Sequence, residues 1–137
     1  MAFSSQQLKQ IYDLASGYCH TKVAFKNYGV LGGRGAWEVE HSNPQAKGGT
    51  HRLNNLYPAC ISCNRSKGDS SAASARAKNG KSRAPLSTEK RKDAKTSNAL
   101  AGGVAGAAIG ALAGPFGALV GAAIGAHLGH NKNPDKT

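Results

Sequence analysis

The chain has 137 residues, 18 Lys/Arg against 7 Asp/Glu, and a formal net charge of +11. That length holds one modest domain with appendages and no more. Three cysteines, two of them in a Cys-x-x-Cys pair, argue against a disulfide framework; the opening MAFSSQQLKQIYD has no basic-then-apolar signal pattern, so a reducing cytoplasm is expected.

Ser4 followed three positions later by Gln7 predicts a capping box, and Leu8, Ile11, Tyr12 and Ala15 then recur at helical spacing up to Gly17. The stretch Tyr18 to Val30 contains Cys19, and Gly32, Gly33 and Gly35 mark a loop. Trp37, Val39 and His41 alternate with Glu38 and Glu40, which predicts a short strand. Strict alternation places Glu40 and His41 on opposite faces, so a site using both requires the strand to end or twist there. Pro44 and Gly48-Gly49 supply an irregular loop, Asn55-Leu56-Tyr57 a return strand, and Ile61 to Lys67 a short helix.

Residues 71–97 hold eight basic and two acidic residues, little apolar content and Pro85. They read as a basic flexible linker whose charge suits a phosphate backbone or an anionic lipid surface. Residues 98–130 change character. Gly and Ala dominate, and no residue from Thr96 to Asn131 carries a full charge. Glycines fall at 102, 106, 110 and 114, then at 117, 121, 125 and 129. On a helix these ladders make a smooth strip where another backbone can approach closely. The segment resembles the glycine-zipper transmembrane segments of bacterial membrane proteins. Residues 99–126 as one helix would rise about 42 Å at 1.5 Å per residue, enough to cross the ~30 Å apolar slab with tilt. A hairpin at Gly114-Pro115 would have arms of only about 22 Å by the same rise. A polar tail, 131–137, closes the chain.

The densest pattern runs from Trp37 to Lys67: Glu40-His41, Pro44, Gly48-Gly49, Asn55-Leu56, then Cys60, Cys63, Asn64 and Lys67. It resembles the HNH endonuclease family. The resemblance implies an α+β fold in which residues 1–70 form a small ββα-metal nuclease domain. It implies His41 as the base that activates water and Asn55 as the brace of the loop carrying it. It also implies Glu40 and Asn64 as oxygen ligands of a divalent ion, Mg2+ or Mn2+. Glu40 departs from the more common Asp. Lys47, Arg65 and Lys67 are the expected nucleic-acid contacts. Many relatives complete Cys-x-x-Cys with an upstream pair as a structural zinc site. Here Cys19, Cys60 and Cys63 supply three thiols, Lys22 stands where a fourth is expected, and His20 or His51 are candidates in its place.

The expected function is a metal-dependent endonuclease acting on DNA, with RNA as the alternative substrate. It would be bacterial or phage-encoded, with a cytoplasmic nuclease domain anchored at the inner membrane through residues 99–126, and would serve in phage defence or as an antibacterial toxin. A homo-oligomer through the glycine ladder is a further expectation. The alternatives are a non-catalytic nucleic-acid-binding module of the same fold, or a membrane-active glycine-zipper protein.

Overall fold

The structure, a computed structural model, describes residues 3–135. The capping box forms at its start: Gln7 N donates to Ser4 Oγ at 3.2 Å, and Ser4 N donates to Gln7 Oε1 at 2.9 Å. Helix α1, Ser5–Leu14, buries Ile11 completely. The helix is capped at Ala15, and the turn that follows runs to Gly17, which has φ +63° and sits so close beneath the Tyr12 ring that a side chain there would overlap it.

Strand β1, Trp37–His41, pairs antiparallel with β2, Leu56–Cys60, in the register Trp37↔Cys60 to His41↔Leu56. Helix α2, Ile61–Lys67, follows β2 directly. Cys60 is both the last strand residue and the helix N-cap, its Sγ accepting from Cys63 N at 3.4 Å. The expected strand, loop, strand, helix order is therefore present. Ile11, Val23, Trp37 and Leu56 form the buried core, with Tyr12, Tyr28 and Val39 among the side chains packed around it. Trp37 Nε1 donates to the Phe25 carbonyl at 3.2 Å, and the Tyr28 ring meets the indole edge-on at 5.0 Å. Each such side chain contributes about 1.5–3 kcal/mol on burial, so four make a thin core that gains from additional anchoring.

The chain separates into two compact units, Met1–Thr88 and Glu89–Thr137. Residues 71–88, read from composition as linker, thus belong with the first unit. Helix α3, Ala72–Lys78, is N-capped by Ser71. Its buried Ala72 donates its N–H to the Ser42 carbonyl at 3.0 Å. Farther along, Ser16 Oγ donates to the Leu86 carbonyl at 2.9 Å. Hydrogen bonds and one small buried side chain, rather than large apolar residues, hold this segment.

The second unit contains most of α4, Thr88–Gly110, a 3-10 turn at Ala111–Ala113, and α5, Gly114–Asn131. By length and composition Thr88–Asn131 would suffice to cross a membrane, but the helical stretch folds back on itself. Gly114, at φ +85°, makes the turn, and Pro115 opens α5 in the position where a missing N–H costs nothing. The opposed pairs are Asn98–Gly129, Gly102–Gly125, Gly106–Gly121 and Gly110–Gly117. Their residue numbers share a constant sum, which defines antiparallel helices in contact along one line. A methyl group on any of these glycines would overlap a carbonyl oxygen of the facing helix. Large apolar residues point outward instead: Leu112 is 91% exposed and Phe116 82%.

Gly106→Leu is therefore expected to separate the two helices, since overpacking a tight contact typically costs about 1–3 kcal/mol. The check is helical signal and thermal midpoint by circular dichroism on full-length protein. A variant matching the parent in both would contradict this packing.

Candidate active site and metal centre

The site lies at the end of β1 and in the loop that follows. Asn55 closes that loop with three hydrogen bonds. Its Oδ1 accepts from Asn43 N at 2.7 Å, and its Nδ2 donates to the carbonyls of Asn43 at 3.1 Å and Thr50 at 2.9 Å. Gly49 lies against the Asn43 carbonyl with no space for a Cβ. Beneath this brace, Ser42 N donates to the Asn55 carbonyl at 2.8 Å. His41 is held immediately before it.

His41 Nε2 lies 3.1 Å from His51 Nδ1, and the Gln45 amide contacts His51 Nε2. Gln45 presents its amide nitrogen, which can only donate, so His51 Nε2 accepts and His51 Nδ1–H faces His41 Nε2. Burial first, then His51 and Lys67, lowers the His41 pKa from the ordinary 6.5, which keeps the ring neutral at pH 7. Sequence reading entertained His51 only as a zinc ligand. The structure places it against His41, a proximity that no spacing rule signals across a ten-residue loop.

Glu38 and Glu40 share the side of β1 that faces α2. Asn64 Nδ2 donates to Glu38 Oε2 at 3.0 Å, and Arg65 Nη2 approaches Glu38 Oε1 at 3.9 Å. Asn64 thus meets Glu38 rather than the neighbouring Glu40, leaving its carbonyl oxygen as the atom able to ligate a cation. Lys67 Nζ lies 3.3 Å from Glu40 Oε1. The separation suits an ion pair, yet Oε1 is buried and accepts no hydrogen bond of acceptable geometry. Burial raises the Glu40 pKa, and Lys67 and Arg76 partly offset the rise. A buried carboxylate oxygen lacking a hydrogen bond fits a divalent-ion ligand, because a cation would supply the missing partner. Of the three expected nucleic-acid contacts, Lys47 and Arg65 are exposed, whereas Lys67 is buried against Glu40.

The second cluster lies at the opposite end of the β hairpin. Ligand atoms of Cys19, His20, Cys60 and Cys63 all fall within 4.8 Å of one another. Adjacent ligands ordinarily diverge, but Tyr18 and Lys22 bridge across a tight turn in which Cys19 N donates to the Thr21 carbonyl at 3.0 Å. That turn swings both side chains inward, with His20 Nδ1 3.0 Å from Cys63 Sγ. Lys22 turns the other way: Nζ donates to the Ser16 carbonyl and lies 4.7 Å from the Tyr18 ring centroid. Burial pushes the Cys19 and Cys63 thiols up. Burial also acts upward on Cys60, but hydrogen bonds from Ser62 and Cys63 outweigh it and bring this thiol down. Three sulfurs and one imidazole match the Cys3His set of structural zinc, and a tetrahedral centre with Zn–S of about 2.3 Å needs only a small contraction of this cluster.

Residues 17–70 match the model of the family described as HNH endonuclease. The matched segment contains both clusters, β1, β2 and α2, and is similar to the domain of that family. No curated protein and no solved structure shows a significant match to the chain.

Purified protein is expected to hold about one zinc per chain at this cluster. His20→Ala should weaken zinc binding by more than about tenfold, since loss of even an outer-shell partner has that effect. Elemental analysis and competition with a chromogenic chelator measure both, and zinc retained undiminished by the variant would remove His20 from the ligand set.

Proposed function

We propose that the first unit is a metal-dependent endonuclease that hydrolyses phosphodiester bonds in DNA, and that the second unit holds it at a membrane. The brace at Asn55 is the observation that carries the nuclease reading. Its three hydrogen bonds rigidify the loop that fixes His41, and a general base must be held to within a fraction of an ångström to be effective.

In this reading His41 takes a proton from water, while contact with His51, itself held by Gln45, orients its ring. Glu40 and Asn64 hold Mg2+ or Mn2+, which would stabilise negative charge at the scissile phosphate. Arg65 and Lys47, both exposed, draw in neighbouring phosphates. The pair Lys67–Glu40 favours a second reading, a non-catalytic nucleic-acid-binding module, because a lysine already meets the carboxylate that must take the ion. One assay separates them. Plasmid incubated with residues 1–88 should be cut with Mg2+ or Mn2+, left intact with chelator, and cut about 10²–10⁴-fold more slowly by His41→Ala, the usual span for a lost general base. Equal cutting by the variant would end the assignment.

The rate should depend on pH with a known sign. The base works when neutral, and its pKa is lowered, so the acidic limb of kcat/KM should fall below pH 6.5. A limb centred at pH 7 or above would show that another group is titrating.

The membrane role rests on the hairpin's surface. Its outer face is apolar, no charge occurs from Thr96 to Asn131, and Lys90, Arg91, Lys92 and Lys132 stand at its open end. The 18 residues of α5 rise about 27 Å, near the ~30 Å hydrocarbon thickness. Basic residues beside the apolar segment suit the cytoplasmic face and its anionic lipids. Such a placement would serve attack on entering DNA in phage defence, or delivery of a toxin. Full-length protein is expected in the membrane fraction and residues 1–88 in the soluble one; full-length protein recovered only as a soluble species would overturn the tether.

A further inference from the structure

We propose that Arg76 of α3, beyond the family-matched segment, binds the phosphodiester being cut and completes the active site as its phosphate clamp. The proposal rests on the nuclease reading and adds a residue to it.

Three observations carry it. First, α3 is anchored to the site itself. Ala72 is buried and its N–H donates to the Ser42 carbonyl at 3.0 Å, one residue beyond His41. Arg76 lies one helical turn later, so it shares the face that Ala72 presents to the site. Second, the Arg76 Nε is buried and makes no hydrogen bond among the described residues. A buried guanidinium donor without an acceptor is costly, and a phosphate oxygen is the acceptor that guanidinium geometry matches best. Third, the charges do not balance. Glu40 carries one negative charge, and both Lys67, 3.3 Å away, and Arg76 act on it as attractive cations. Counting Glu38 and the Arg65 beside it, three cations face two carboxylates before any divalent ion is added, so the site can take an anion together with the metal.

The same helix extends this character. A cavity of about 320 Å³ between α2 and α3 is lined by Lys67 and Lys78 and, on the side of the cysteine cluster, by His20 and Cys63; Arg76 itself does not line it. No carboxylate lines it. In the reaction, negative charge grows on the phosphoryl oxygens as water adds. A preorganised arginine stabilises that charge at no cost in reorganisation.

The test uses the full-length protein in detergent, with Arg76→Gln and Arg76→Lys. Arg76→Gln is expected to lower kcat with Mn2+ by about 10²–10³-fold, as for loss of one oxyanion donor. In chelator, the salt dependence of binding to a short fluorescent DNA duplex should lose about one unit of its log–log slope. Mn2+ affinity, read by electron paramagnetic resonance without DNA, should rise, because a cation beside Glu40 has been removed. A merely structural role would weaken metal and DNA binding together. Arg76→Lys, which keeps the charge and loses the fork, should fall between parent and Gln variant in kcat and retain the salt slope. Cleavage within about twofold of parent by either variant, an unchanged slope in the Gln variant, or parallel loss of metal and DNA binding would overturn the proposal. Absence of cleavage by the parent itself would instead overturn the nuclease reading.

Discussion

The register of one five-residue hairpin governs both chemical centres. Pairing Trp37 with Cys60 and His41 with Leu56 puts the cysteine cluster at one end and the histidine site at the other. Four strand steps at about 3.4 Å separate them. A slip of one residue would exchange the two faces of each strand. Trp37 would leave the core, Glu38 and Glu40 would turn away from α2, and Cys60 would lose its place beside Cys19. Trp37 prevents this: it is wholly buried, its ring nitrogen is hydrogen-bonded, and Tyr12, Phe25 and Tyr28 pack around it. The indole thus sets the phase of β1, and the cysteine end ties the helix that follows β2 back to the turn before β1.

Around Glu40 the domain keeps a charge where hydrophobic burial alone would disfavour one. The carboxylate is 8% exposed and Lys67 7%. An isolated buried ion pair of this kind adds little to stability, because loss of hydration offsets most of the attraction. An apolar pair of similar volume would pack at less cost. That the chain has a carboxylate, an ammonium and a nearby guanidinium here is easier to understand as chemistry than as stability. The surrounding hydrogen bonds, from the Asn55 side chain to the Asn43 backbone and from Ala72 N to the Ser42 carbonyl, supply the rigidity that the charged groups do not.

Much of the first unit was legible in the residues. Ser4 and Gln7 announced the first helix, alternation announced β1, and a cysteine N-cap is consistent with α2 beginning immediately after β2. Alternation also placed Glu38 beside Glu40, although its partnership with Asn64 depended on the pitch of α2, which no local pattern encodes. His20 was harder. Adjacent ligands look incompatible in an extended chain, and only the turn closed by Tyr18 and Lys22 brings both inward. α3 was hidden for a different reason. Its docking uses a small side chain, Ala72, and a main-chain hydrogen bond, while composition reports only the charges that make such a segment look like a tail.

The hairpin of α4 and α5 inverts the arrangement of a water-soluble helix pair. A pair folded in water buries large apolar side chains and leaves small or polar ones outside. Here glycine backbones meet, and Leu112, Phe116 and Leu119 face outward. Water supplies little drive for such a contact, because the glycines remove almost no apolar side-chain area on closing. Close packing of backbone against backbone is instead the interaction that remains useful where the surroundings are as apolar as leucine. The same constraint explains the spacing. Glycine is needed at every fourth position wherever the facing carbonyl occupies the volume of a Cβ. The register steps by three only where Gly114 turns the chain, so the break in the ladder marks the bend rather than a flaw in the repeat.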